Sequence, residues 1–122
     1  MELISIIPKY YEFVRLLRMH PSTVHAFIGD AQITTEQQIE YMEKYSKNYF
    51  ICLLYGEPVG YIGVIDDDIR ICTHPNYERI GVGKFMLKEI INIFPNATGR
   101  IKRDNVSSQK LFQKCDVPYE LL

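Results

Sequence analysis

Apolar and polar positions along the chain change period twice, and the first stretch reads as a strand followed by helices. Leu3 to Ile7 is a short apolar run of strand length. Pro8 suits the first position of a helix, where its missing N–H costs nothing. Tyr10, Phe13, Val14 and Leu17 then recur at helical spacing, with Glu12, Arg15 and Arg18 between them. His20-Pro21-Ser22 ends that helix. Residues 21–33 read as loop, with Gly29-Asp30 inside it and apolar character from His25 to Ile28. The next helix begins with a capping box, either Thr34 with Gln37 or Thr35 with Gln38. Its apolar stripe is Ile39, Met42 and Tyr45, and it ends near Lys47.

The period then shortens. Tyr49 to Tyr55 is rich in aromatic and β-branched residues and reads as a strand. Gly56-Glu57-Pro58 is a turn, and Val59 to Ile65 is a second strand. Gly60 and Gly63 mark a bulge or a close backbone approach in it. Asp66-Asp67-Asp68 is a second turn, and Ile69 to Thr73 is a third strand. Short turns between strands predict an antiparallel meander.

After His74-Pro75-Asn76 the period lengthens again. Met86, Leu87, Ile90, Ile91 and Phe94 give an amphipathic helix that Pro95 stops. Ala97 to Lys102 is a strand. Asp104 or Asn105 caps a helix carrying Ser108, Leu111 and Phe112 to about Cys115. Val117 to Leu122 is a last strand. The order β-α-α-β-β-β-α-β-α-β puts one right-handed crossover, with parallel strands, behind the meander. The expected fold class is α+β (mixed α/β), with about six strands and four helices in a single domain over residues 1–122.

Composition narrows the function more than the fold. The chain has 122 residues and a net charge of -1. It shows no cluster of Lys or Arg, which disfavours nucleic acid. No apolar run is long enough to cross a bilayer, and Met1 to Ser5 does not open a signal peptide. Three cysteines at scattered spacings make neither a disulfide framework nor a zinc site, so no metal is expected. A cytoplasmic location fits these readings.

The candidate chemistry lies between Ile69 and Lys84. A strand ends there, and Gly81-Val82-Gly83 opens a helix. Free N–H groups at a helix start, the helix dipole and glycines that let the main chain approach an anion together make a phosphate site. Arg79 and Lys84 add positive charge. A Walker A loop would need Gly at position 78 and Ser or Thr at 85, where Glu78 and Phe85 stand. A dinucleotide fingerprint would need a third glycine where Met86 stands. The remaining reading is the pyrophosphate loop of a coenzyme A acyltransferase.

The segment His74 to Leu87 resembles the cofactor motif of the GNAT superfamily of acetyltransferases, through Pro75, Tyr77, Gly81, Gly83 and Leu87. It departs from the motif at Glu78, where Gln or Arg is usual. Asn105, Ser108, Leu111, Phe112 and Lys114 resemble the later motif of the same superfamily, with Asp116-Val117 in place of its Gly-Phe ending. The resemblance covers roughly positions 49 to 117. It implies a central, mostly antiparallel sheet with a V-shaped splay. It implies acetyl transfer from acetyl-CoA to a primary amine by direct attack in a ternary complex. The acceptor would be an amino sugar, a small amine or a peptide N-terminus.

The resemblance also assigns roles. The strand at Ile71, Cys72 and Thr73 would hold the pantetheine arm by backbone hydrogen bonds. The N–H groups of Val82, Gly83 and Lys84 would bind the pyrophosphate. Asn105 and Ser108 are cofactor contacts or a helix cap and helix surface. Phe112 stands where relatives often place a Tyr acid, and packs against pantetheine or core. Asp68 aligns with an acidic position that serves as base in some relatives, or is simply a turn carboxylate. His25 is a second candidate base or substrate contact, or a solvated imidazole. His74 and Tyr119 are weaker candidates. Asp66 to Asp68 would make the acceptor side mildly acidic. A homodimer by edge pairing of the last strand is a further expectation. The competing readings are a GNAT-like domain that binds CoA or a protein partner without turnover, and an interaction module without cofactor.

Overall fold

The computed structural model describes residues 1–26 and 32–122. The expected loop positions from Phe27 to Ala31 therefore lie outside the described residues. Among the described residues one sheet of six strands organises the fold, in the order β1-β2-β3-β4-β5-β6. The strands are β1 (Glu2–Ser5), β2 (Tyr49–Leu54), β3 (Glu57–Ile65), β4 (Asp68–Thr73), β5 (Thr98–Ile101) and β6 (Tyr119–Leu121). The first four are antiparallel neighbours, whereas β4–β5 and β5–β6 are parallel. The helices are α1 (Tyr11–Arg18), α2 (Thr35–Tyr45), α3 (Val82–Ile93) and α4 (Val106–Lys114). This is the mixed α/β architecture expected from the sequence.

Both faces of the sheet are covered. Val82, Met86, Leu87 and Ile90 of α3 and Phe112 of α4 pack on one face with Ile62, Val64 and Ile69. Val14 and Leu17 of α1 and Met42 of α2 pack on the other with Tyr49, Ile51 and Tyr61. Each such side chain contributes roughly 1.5–3 kcal/mol when fully buried.

Local chemistry explains most element ends. Thr34 accepts from the Gln37 N–H at 3.1 Å while Gln37 Oε1 accepts from the Thr34 N–H at 2.8 Å, a complete capping box. The buried stripe of α2 is shifted from the expected one. Ile39 is exposed, and Gln38 is buried in its place because its amide donates to the Tyr11 carbonyl at 3.1 Å. The β2–β3 turn is Tyr55-Gly56, both at positive φ, so Glu57 and Pro58 belong to the strand and not to the turn. Likewise Asp66 and Asp67, both at positive φ, close the β3–β4 turn alone. Asp68 is thereby released into β4, opposite Ile65.

The sheet also sets thiol reactivity. Cys52 and Cys72 are buried, and burial pushes their thiols up to about 11 and about 12. Cys115 is half-buried, and burial raises its thiol while Lys88 and Lys84 oppose the shift. With Ellman's reagent at neutral pH, the folded protein should show one reacting thiol, which Cys115→Ser removes. Fast reaction of a second thiol would mean that the β2 or β4 packing is loose.

Candidate active site

The site begins where β4 and β5 part. They pair only at Asp68↔Thr98 and Ile69↔Gly99. From Arg70 to Thr73 the β5 side of β4 lies beyond that pairing, and this is the splay the resemblance implied. The direction of each backbone group follows from alternation along an antiparallel strand. His74 N–H donates to Val59 O at 2.8 Å, so the main-chain groups of Cys72 and Arg70 also face β3. Thr98 N–H donates to Asp67 O at 2.8 Å on the opposite side. The main-chain groups of Ile71 and Thr73 therefore face the splay. Cys72, expected beside them as a main-chain cofactor contact, has its backbone turned toward Tyr61, and its side chain is buried on the α1/α2 face.

The splay runs to the start of α3. A methyl placed on Gly83 would lie 3.6 Å from Thr73 Oγ1, which makes the end of β4 and the first turn of α3 neighbours. Gly81 is the N-cap at φ 90°, in the left-handed region that favours glycine, and it supplies no side-chain cap. The first N–H to bond within α3 is that of Phe85, to Gly81 O at 2.9 Å. The N–H groups of Val82, Gly83 and Lys84 therefore precede the helical ladder. Arg79 and Lys84 are exposed beside them, with Arg79 at φ 66°. Gly83 has a structural reason too, because a methyl there would lie 3.0 Å from Leu111 of α4.

A cavity of about 240 Å³ opens at the splay, lined by Asp68 to Ile71 on β4, Arg100 and Ile101 on β5, and Asn105, Ser108 and Phe112 at α4. Arg18, Ala26 and Tyr49 close its other side. Asn105 and Ser108 take both of their expected roles. Asn105 Oδ1 caps α4 by accepting from the Ser108 N–H at 3.2 Å, and both residues line the cavity. Phe112 is buried, with its ring against Gly99, and forms part of the wall.

Asp68 has the most telling environment. Its Oδ2 lies 3.7 Å from Arg70 Nε. Its Oδ1 is buried and accepts no hydrogen bond among the described residues. An orphaned buried acceptor costs about 1–3 kcal/mol, so it calls for an explanation such as a catalytic role, strain, or a bound water or ion. Arg70 Nη1 donates to Tyr41 OH at 2.9 Å, and Tyr41 OH lies 2.7 Å from Tyr49 OH. Burial raises the Tyr49 phenol well above its ordinary value, so it stays protonated and acts as a hydrogen-bonding wall.

Other candidates fall elsewhere. His25 is exposed and is not among the cavity's lining residues; its carbonyl accepts from Lys102 Nζ at 2.7 Å, and the adjacent Ala26 lines the cavity. His74 Nδ1 accepts from the Asn76 N–H at 3.1 Å, a helix-capping role. Tyr119 OH accepts from Gln113 Nε2 at 2.7 Å on the exposed side of α4. Sequence reasoning missed Arg18, Tyr49, Arg70 and Arg100. Only Arg70 carried a signal, since it shares a strand face with Asp68 two residues earlier. Of Asp66 to Asp68, expected to make the acceptor side mildly acidic, only Asp68 is among the cavity's lining residues, beside Arg18, Arg70 and Arg100. No three or more His, Cys, Asp or Glu among the described residues are placed to hold a metal ion. No described helix is long and apolar enough to cross a membrane.

The sequence profile of the acetyltransferase (GNAT) family matches residues 12–116, and the chain belongs to that family. Solved structures repeat the fold. Spermidine N-acetyltransferase from Vibrio cholerae, in complex with CoA and spermine, superposes with a TM-score of 0.80 at 11% identity, over 93% of this chain and 78% of that one. Ribosomal-protein-alanine N-acetyltransferase from Brucella melitensis gives 0.78 at 13%, over 93% and 82%. A GNAT-family acetyltransferase from Streptococcus pneumoniae gives 0.74 at 19%, over 93% and 81%. No curated protein sequence matches the chain significantly.

Proposed function

We propose that this protein transfers the acetyl group of acetyl-CoA to a primary amine, by direct attack within a ternary complex. The observation that carries the reading is the conjunction of three features: the uncapped start of α3, the open edge of β4, and a cavity holding an Asp68 oxygen that has no partner among the described residues. The N–H groups of Val82, Gly83 and Lys84, with the charges of Arg79 and Lys84, would hold the pyrophosphate. The main-chain groups of Ile71 and Thr73 would hold the pantetheine arm. Asn105, Ser108 and Phe112 would line the path to the cavity. Acetyl-CoA supplies an activated acetyl carbon.

Asp68 would receive the amine's proton as the nitrogen bonds to the acetyl carbon and the C–S bond breaks, with the electron pair leaving on sulfur. Tyr49 and Arg70 fix the wall against which the amine rests. The Vibrio cholerae spermidine N-acetyltransferase structure, which carries CoA with spermine, is consistent with an amine acceptor.

Calorimetry tests the loop. Acetyl-CoA and CoA should bind saturably and ATP should not. Gly81→Glu places a carboxylate where the pyrophosphate would lie, at a backbone angle that strains any side chain. It should weaken acetyl-CoA at least roughly 10-fold, the scale of one lost charge-assisted hydrogen bond. Unchanged affinity would place the coenzyme elsewhere or nowhere.

A further inference from the structure

Asp68 keeps an open oxygen beside a guanidinium that stands within closing distance. Resting on the transferase reading above, with Asp68 as its base, we propose that Tyr41 is a positioning residue. Its hydroxyl holds the Arg70 side chain out of hydrogen-bonding reach of Asp68, and so leaves the carboxylate free for the amine's proton.

Asp68 and Arg70 stand two residues apart on β4, so their side chains share one face of the sheet. A guanidinium so near a carboxylate ordinarily takes it with paired N–H donors. Here it does not. Arg70 Nε stays 3.7 Å from Asp68 Oδ2, beyond a hydrogen bond, and Asp68 Oδ1 has no partner among the described residues. Arg70 Nη1 instead donates to the Tyr41 hydroxyl at 2.9 Å.

Tyr41 is itself held in place. Its ring lies 4.8 Å from that of Tyr45 and 5.9 Å, edge-on, from that of Tyr49, between centroids. Its hydroxyl also meets Tyr49 OH at 2.7 Å, and Tyr49 is buried on β2. The Arg70 side chain is 40% exposed, and it is the member of the contact with rotamers to spare. Without the Tyr41 oxygen, the acceptors at hand are the neutral Tyr49 hydroxyl and the Asp68 carboxylate, and the carboxylate is the stronger. Closure of Arg70 would put N–H donors on the oxygens that have to take the proton. It would favour the charged carboxylate over the protonated one, which makes a poorer base.

Tyr41→Phe keeps the ring and its packing against Tyr45 and Tyr49 and removes the oxygen. With acetyl-CoA and the best acceptor among ethanolamine, glucosamine and an alanyl peptide, it should lower kcat roughly three- to tenfold and leave acetyl-CoA affinity intact. That span runs from a partly exposed ion pair to a charge-assisted hydrogen bond. In an Arg70→Gln background the same substitution should change kcat by less than about twofold, since no guanidinium remains to close on Asp68. Arg18, Arg100 and Tyr49 also line the cavity, but they are present in both backgrounds and drop out of the comparison. An equal loss in both backgrounds would mean that Tyr41 only supports α2, and overturns the proposal. The Arg70 Nε–H proton resonance, assigned by its loss in Arg70→Gln, reads the contact without turnover. It should move downfield in Tyr41→Phe, and adding Asp68→Asn should abolish that move. Asp68→Asn alone should leave the resonance near its wild-type position. A large change there would show that Arg70 already bonds Asp68, which overturns the proposal even if Tyr41→Phe folds poorly. Closure of Arg70 in a protein that acetylates none of these amines would sink the transferase reading and leave the geometry standing. Acetylation without closure would sink this inference alone.

Discussion

Asp68→Asn should lower kcat by roughly 10²–10⁴-fold, the range removed with a positioned general base, and should leave acetyl-CoA affinity unchanged. The substitution keeps the shape of the side chain and removes its ability to take a proton. Thiol release reports kcat, and calorimetry with acetyl-CoA confirms that the coenzyme path along Ile71 and Thr73 is intact. A structural role predicts a different pattern. The Oδ1 atom has no partner to lose among the described residues. The Arg70 contact, at 3.7 Å with side chains 40% and 26% exposed, is worth at most about 1 kcal/mol. Thermal stability should therefore hold or rise in Asp68→Asn, as happens when strain at a working site is relieved. Unchanged kcat with a lowered melting temperature would mean that Asp68 serves Arg70 and β4, and that the proton leaves by another route.

The position of Asp68 also shows what sequence alone could resolve. A run of three aspartates after Ile65 announces a turn, and a turn is there. Which of the three escapes it depends on backbone angles, since Asp66 and Asp67 adopt positive φ and Asp68 does not. The same ambiguity displaced the β2–β3 turn by one residue, because Tyr55 takes a positive φ that tyrosine seldom adopts. The strand-to-helix switch at Thr73 to Val82 was legible because period, glycines and free N–H groups all agree there. The cavity wall was not. Arg18 and Arg100 come from α1 and β5, far apart in the chain, and meet only because the sheet order places β5 beside β4. A chain whose net charge is -1 gives no sign in its composition that three arginines gather at one cavity. Parity alone could have put Arg70 with Asp68. The swap of Gln38 for Ile39 in the core of α2 turns on one amide finding the Tyr11 carbonyl, a contact 27 residues away.

Phe112→Ala is the second large effect, a loss of about 3–5 kcal/mol of stability against a total of about 5–15 kcal/mol for a domain of ordinary size. Phe112 is buried at 2% exposure in the core that α3 and α4 form with the sheet. Its ring lies over Gly99, where a methyl would come within 2.5 Å of Cε2, and it meets Tyr119 edge-on at 6.0 Å between centroids. Glycine at position 99 is thus the space the ring occupies. Gly99→Ala alone should destabilise as well, by about 1–3 kcal/mol for overpacking. The two losses should not add. In Phe112→Ala the methyl of Gly99→Ala enters the vacated volume and removes both the clash and part of the void, so the double variant should be more stable than the sum of the singles by about 0.5–3 kcal/mol. Urea unfolding of the four proteins measures that coupling. Strict additivity would mean that Phe112 and Gly99 are not in contact. Because Phe112 also lines the cavity, the double variant retains a wall there while Phe112→Ala opens it. Recovery of acceptor affinity along with stability would show that the ring acts by filling space.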